Sequence, residues 1–405
     1  MERERLEVLG ALDLVEAEIR AADPAFAALT APQPLTVAEI QGLLDNQTVL
    51  LSYFLGEERS FLWWVTRERV ESFPLPARRL LEAMARDLHT RWSTPNANAW
   101  RGQALAAQNL GRILLGPVAA RLKDHRLAVI PDGALSYLPF SALVPPGGQE
   151  PLLHSHEVVV LPSASSLAAR RAMQPPRAPA PGWLAIMADP VFQAEDPRLV
   201  ASSPVAGTRG GEHFPRLPAS RREAEAILAL APPERTLRLF DFAADRRAVL
   251  GGSLKPFRVV HFATHGVLDT TQPSLSGLVL SQVGPDGEPQ SGFLGLHDIY
   301  NLDLQAELVV LSGCRTALGE EMQGEGLVGL TRGFMYAGAP RVIASLWPVE
   351  DRATARLMSL FYQALWRDGL PAVTALRQAQ RQLSAERRWR DPYYWASFVL
   401  QGEWR

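Results

Sequence analysis

The chain has 405 residues, with 41 Lys and Arg against 43 Asp and Glu and a formal net charge of −2; a dedicated nucleic-acid binder carries an excess or run of basic residues, which is absent here. A hydrophobic fraction of 47% excludes a disordered chain, and the length predicts about two or three domains. The one cysteine, Cys314, excludes an intrachain disulfide and zinc sites built from several cysteines.

Residues 2–22 carry apolar positions at helical spacing and predict an amphipathic helix. The start M-E-R-E-R has no signal-peptide core, and no apolar stretch reaches the ~18 residues that span a bilayer, so a cytoplasmic setting with no membrane contact is expected. Thr36, followed three residues later by Glu39, predicts a capping box and a short helix. Strands are expected at 48–54, 60–66 and 70–73, the first two joined by a G-E-E-R hairpin turn. Helices are expected at 77–92, opened by Pro76, and at 101–122. Short strands at 127–131 and 158–161 and a helix at 163–173 complete a first α/β unit, residues 1–175.

Four prolines in Q-P-P-R-A-P-A-P-G, residues 174–182, mark a linker. A fresh β/α alternation follows over 183–405. Strands are expected at 183–187, 236–239, 257–263, 307–312 and 341–347, a β-hairpin around the D-G at 286–287, and a final strand in Y-W-A-S-F-V-L-Q-G. Residues 190–217 read as a long surface loop and 318–325 as a shorter one. Helices are expected at 220–230, 243–250, 327–337, 351–366 and 371–387. The expected class is therefore α/β, in two units, with a mainly parallel sheet in the second.

Two strands end on reactive residue types. F-R-V-V-H-F-A-T-H-G ends at His265 and Gly266; E-L-V-V-L-S-G-C-R-T ends at Cys314. Ligands of open α/β sheets bind at the carboxyl ends of the strands. If these two strands are neighbours, imidazole and thiol meet there, in the pairing that performs acyl transfer. Free backbone N–H groups at Gly266 and Cys314 would stabilise an oxyanion. His261, inside its strand, reads as a core histidine. Asp269 is a candidate to orient His265. Gly324-x-Gly326-x-x-Gly329 matches a dinucleotide fingerprint formally, but it does not directly follow a strand. Neither a cofactor nor a metal is expected.

The motifs H-F-A-T-H-G, L-S-G-C-R-T-A-L-G, G-E-G-L-V-G-L-T-R-G-F-M-Y-A-G-A, V-I-A-S-L-W-P-V-E-D and Y-Y-W-A-S-F-V-L-Q-G, in that order, resemble the CHAT domain, a caspase-like family related to separase. The resemblance runs from about residue 33 onward. It implies two caspase-like α/β units: a pseudoprotease-like first half and an active second half. It implies His265 as general base, Cys314 as nucleophile, and the N–H groups of Gly266 and Cys314 as oxyanion hole. Gly313 stands where the family often has alanine. W-P-V-E-D places Asp351 where separases bind a substrate arginine, with Trp347 and Ser345 lining that pocket; the other reading of Asp351 is a helix N-cap. The implied function is a cysteine endopeptidase acting on a protein substrate, with an upstream sensor of tetratricopeptide type or another regulatory partner. The alternative is a catalytically silent signalling scaffold.

Overall fold

The computed structural model describes residues 33–95, 100–122, 125–172, 180–199, 214–269, 275–313 and 325–405, with Val15, Glu18 and Ala22 in isolation. The helix expected over 2–22, most of the 174–182 linker, nearly all of the 318–325 loop, and Cys314 itself lie outside the described residues.

The strands are β1 (Thr48–Phe54), β2 (Ser60–Val65), β3 (Val70–Leu75), β4 (Arg126–Ile130), β5 (Val158–Val160), β6 (Gly182–Pro190), β7 (Thr236–Asp241), β8 (Phe257–Ala263), β9 (Gly266–Val267), β10 (Gly277–Val279), β11 (Phe293–Gly295), β12 (Leu308–Leu311), β13 (Arg341–Ser345) and β14 (Phe398–Gly402). Eleven form one sheet in the order β3-β2-β1-β4-β5-β14-β13-β12-β8-β6-β7. Its pairings are parallel except β3–β2, β2–β1 and β13–β14. The central strands are buried along their length, with V-V-H-F-A in β8 and L-V-V-L in β12. Such runs suit a sheet covered on both faces by helices. The helix Asp351–Trp366 buries Leu357, Met358, Phe361 and Tyr362 and packs against the helices Pro218–Leu228 and Ala372–Ala385.

The two expected halves share this sheet. β14 lies beside β5, with Gln401 opposite Val160, so the composition break near residue 175 divides the chain and leaves the sheet continuous. Side chains stitch the same seam. Arg171 makes two bonds to the Glu403 carboxylate, at 2.6 and 2.9 Å, and Arg377 donates to the carbonyls of Leu153 and His154 at 2.8 and 2.7 Å.

The Thr36 capping box forms as expected, the Thr36 hydroxyl accepting from Glu39 N–H and the Glu39 carboxylate accepting from Thr36 N–H. The helix expected over 101–122 is α-helical only for Trp100–Leu115 and then tightens to a 3₁₀ turn at Gly116–Arg121. Pro117 lacks the N–H that an α-helix needs there. The hairpin expected around Gly287 forms as β10 and β11, and a third strand, β9, joins them in a small antiparallel sheet. Among the described residues no helix is long and apolar enough to cross a membrane.

Burial raises the Glu403 carboxyl, but Arg171 and the N–H groups of Arg405 and Trp404 outweigh it and hold the pKa below the ordinary value. A depressed carboxylate contributes stability above its unfolded pKa and loses it as pH falls through the folded one. Glu403→Gln is therefore expected to cost about 2–3 kcal/mol at neutral pH, with the difference from wild type closing below pH ~4; urea melts at both pH values measure it.

Candidate active site

β8 and β12 are parallel neighbours, with Leu311 opposite Phe262, and β12 also pairs with β13. Their carboxyl ends open on a cavity of about 210 Å³. His265 reaches it from beyond β8, Ser312 and Gly313 from beyond β12, and Ser345, Trp347 and Asp351 from β13 and the turn after it. Ser312 N–H donates to Phe262 O at 2.9 Å, extending the ladder one step past β12. A Cβ on Gly313 would overlap the carbonyl oxygen of Thr264. The residue before Cys314 thus lies against the residue before His265, and glycine is what permits the approach.

His265 is buried, with the rings of Phe192 and Phe214 at 5.1 and 5.5 Å. Its Nε2 lies 2.7 Å from Pro215 O. A carbonyl can only accept, so Nε2 carries the hydrogen and Nδ1 the lone pair of the neutral ring. The acceptor at Nε2 is a backbone carbonyl, a group that sequence reasoning did not consider. Asp269, the candidate to orient His265, lies two residues past β9 and donates its backbone N–H to Ser276 Oγ at 3.0 Å.

Pro215 is itself held. Arg216, next in the chain, grips the fully buried Asp189 carboxylate with two bonds of 3.0 and 2.7 Å. Asp189 also pairs with Arg198 at 3.1 Å, and its N–H donates to Ser220 Oγ at 2.9 Å. Arg198 in turn bonds Asp196 and Asp241. Asp189 and Asp241 have φ of 50° and 53°, the only positive values off glycine among the described residues. Strained backbone of this kind gathers at functional sites.

Gly266 enters β9. Val279 N–H donates to His265 O at 2.8 Å, so His265 and Val279 are a hydrogen-bonded pair of the β9–β10 ladder. Pairs alternate along an antiparallel ladder. Gly266, opposite Leu278, is therefore in the non-bonded position, with its N–H turned away from β10.

Asp351 is not the helix N-cap. Glu350 occupies that position without a side-chain cap bond, and Asp351 is the first helical residue. The residue is exposed and lines the cavity. Desolvation by the pocket wall, then the charges of Glu223 and Glu350, raise its pKa, while His265 opposes them. Trp347 is buried and donates its indole N–H to Tyr393 O at 3.0 Å. Ser345 Oγ donates to Trp347 O at 2.5 Å, so its hydroxyl shapes the wall. From the first half of the chain, His89 meets Trp347 edge-on at 5.6 Å. Burial lowers the His89 pKa to about 4, leaving a neutral ring there at physiological pH.

His261 is the buried core histidine the sequence predicts. Its Nδ1 lies 2.9 Å from Tyr362 OH, and its Nε2 lies 2.9 Å from Glu223 Oε1 and 3.1 Å from Ser312 Oγ. Burial keeps the Tyr362 phenol protonated. Tyr362 then donates to Nδ1, and Nε2–H donates towards Glu223. Glu223 also lines the cavity and was missed in the sequence. It had a signal: in the helix Pro218–Leu228 it falls among the inward positions Ser220, Ala224, Ile227 and Leu228. A carboxylate on an apolar face is rarely there without a partner. Among the described residues no cluster of His, Cys, Asp and Glu is arranged to hold a metal ion.

The model of the CHAT domain matches residues 104–403. Tetratricopeptide repeat protein 28 of Homo sapiens is 26% identical over 327 residues, 71% of this chain and 12% of that protein. Its Mus musculus counterpart is 26% identical over 332 residues, with the same coverage. The chain thus spans about 12% of the length of these relatives. Among solved structures, a Saccharomyces cerevisiae separase–securin complex is similar with a TM-score of 0.56 at 8% identity, covering 96% of this chain and 31% of that one. A second structure of that complex gives 0.53 at 10% identity, with the same coverage. At such identity the likeness is one of fold.

The Gly313–Thr264 approach gives a stability prediction. Gly313→Ala is expected to cost ~1–3 kcal/mol, because the backbone of Thr264 must move to admit a methyl group. Thermal unfolding measures it, and an unchanged melting temperature would show that the two loop starts are not in contact.

Proposed function

The chain belongs to the CHAT domain family, and from that premise we propose that it is a cysteine endopeptidase of the caspase and separase type, acting through His265 and Cys314. The observation that carries the reading is the setting of His265. Its Nε2 lies 2.7 Å from Pro215 O, and His265 lines a cavity that Gly313, the neighbour of Cys314, also lines.

In the proposed reaction Nδ1 takes the Cys314 thiol proton and the thiolate sulfur attacks the scissile carbonyl carbon. The oxyanion accepts the N–H groups of Gly266 and Cys314. The tetrahedral adduct collapses, the C–N bond breaks, and Nδ1–H protonates the departing amine. Water, deprotonated by Nδ1, then attacks the thioester; the acid leaves and the thiol is restored. Residues 1–175 serve as the pseudoprotease-like half and 183–405 as the active half. A regulatory protein partner belongs to the same reading: the similar separase is in complex with securin, and the relatives are named for tetratricopeptide repeats.

For specificity we propose a basic P1 residue. Asp351 is the anion at the cavity mouth, Glu223 is a second carboxylate deeper in, and Trp347 and Ser345 form the wall. Because desolvation raises the Asp351 pKa, its charge is lost at a higher pH than that of an ordinary carboxylate as pH falls. Binding of basic substrates should therefore weaken as pH falls, beginning at a higher pH than an ordinary carboxylate would give.

Cleavage of a peptide library by wild type, and its loss in Cys314→Ala and His265→Ala, tests the activity. Cleavage that survives Cys314→Ala contradicts it. Failure of peptide electrophiles to acylate Cys314, with a partner present, would favour the scaffold reading. Asp351→Asn should lower kcat/KM for Arg or Lys at P1 by roughly 10–100-fold, the worth of a charged hydrogen bond. An unchanged P1 preference contradicts the pocket assignment.

A further inference from the structure

The stretch 214–220 carries Pro215 and lines part of the cleft with Leu217, Ala219 and Ser220. It is held by the chain at and just past the end of β6. Gln193 Nε2 donates to Phe214 O at 2.8 Å, and the Phe192 and Phe214 rings lie 6.2 Å apart. The Asp189 carboxylate binds Arg216. The Asp189 N–H binds Ser220 Oγ, which itself donates to Leu217 O at 2.8 Å. One residue thus meets the stretch by side chain and by main chain.

The backbone is shaped for that contact. Between β6 and β7 the register runs Ala188 opposite Phe240 and then Pro190 opposite Asp241, so Asp189 is the extra residue of a β-bulge. Bulges re-aim side chains, and they gather beside active sites. The φ of 50° at Asp189 lies in the left-handed region, which aspartate tolerates better than most residues. Arg198 secures the bulge, donating to Asp189 O at 2.7 Å and reaching Asp241 at 2.6 Å. Val191 N–H donates to Ser281 Oγ at 3.0 Å, which ties the chain past the bulge to the chain past β10.

A carboxylate with no exposure is weak evidence of stability, since apolar residues of similar volume often serve a core as well. What the arrangement supplies is placement. Asp189 grips Arg216 with both oxygens, a geometry that fixes direction as well as distance. Arg216 directly follows the residue whose carbonyl meets His265 Nε2. We propose that Asp189 is a positioning residue for His265, acting through Arg216 and the Pro215 carbonyl. Its effect on turnover rests on the peptidase reading; its effect on the imidazole does not.

The readout is the pair of ring-nitrogen NMR shifts of His265, assigned by the signals lost in His265→Gln. Wild type should show a neutral ring with its proton on Nε2. Asp189→Asn keeps the shape of the side chain and tolerates positive φ, but it sets an N–H group against a guanidinium. Arg216→Met removes the same contact at a partly exposed residue, and it decides the matter alone if Asp189→Asn does not fold. In each folded variant the two nitrogen shifts should move towards an average of both tautomers. Turnover, kcat, should fall roughly 10–100-fold, the scale of a misplacement of about 1 Å, with a smaller change in KM. Glu403→Gln breaks a comparable two-bond pair at the seam and should change neither readout. Unmoved His265 shifts in folded Arg216→Met, or an equal change in Glu403→Gln, overturns the proposal. Moved shifts in a chain that cleaves nothing uphold the positioning role and count against the peptidase reading alone.

Discussion

The hydrogen bond from His265 Nε2 to Pro215 O is the constraint around which the site is arranged. Without it, the neutral imidazole would exchange tautomers and rotate between the two phenylalanine rings. With it, Nε2 is fixed as the donor of the neutral ring. The cost is that a loop carbonyl must be held to within a few tenths of an ångström. The fold meets that demand with charge. Asp189, at a positive-φ bulge near the end of β6, binds Arg216 bidentately and Arg198 as well. A buried carboxylate with two guanidinium partners gives specificity of geometry more than net stability. That is a reasonable bargain in a loop whose task is placement.

Beneath the cleft lies a second polar network with another role. His261, fully buried in β8, ties the sheet to Tyr362 on one covering helix and to Glu223 on another, and reaches Ser312, just past β12. Every ring nitrogen is engaged, as a buried polar group requires. The network fixes where two helices sit on the strand that ends at His265. It also leaves Glu223 close enough to Asp351 to raise its pKa. Structural and electrostatic roles meet in one carboxylate.

Much of this was legible in the sequence, and what was not has identifiable causes. Buried β-branched runs located β8, β12 and β13, and their carboxyl ends open on the cavity that His265 and Gly313 line. Thr36 and Glu39 announced their helix. Pro215 could not be found, because its contribution is a carbonyl that every residue carries. β9 is two residues long, below what any periodicity can register. The seam between Val160 and Gln401 depends on a pairing across more than half the chain, for which local pattern holds no information. Asp351 was one position from its alternative reading as a cap, a difference within the usual uncertainty of a helix end. Glu223 could have been found, as the acid on an apolar helical face.

The most direct measurement is the pH dependence of Cys314 alkylation by iodoacetamide, in wild type and in His265→Gln. An imidazole poised at the thiol should bring thiolate reactivity in wild type well below the ordinary cysteine pKa of about 8.5, and the variant should return it there. Coincident titrations near 8.5 in both proteins would contradict a His265–Cys314 dyad.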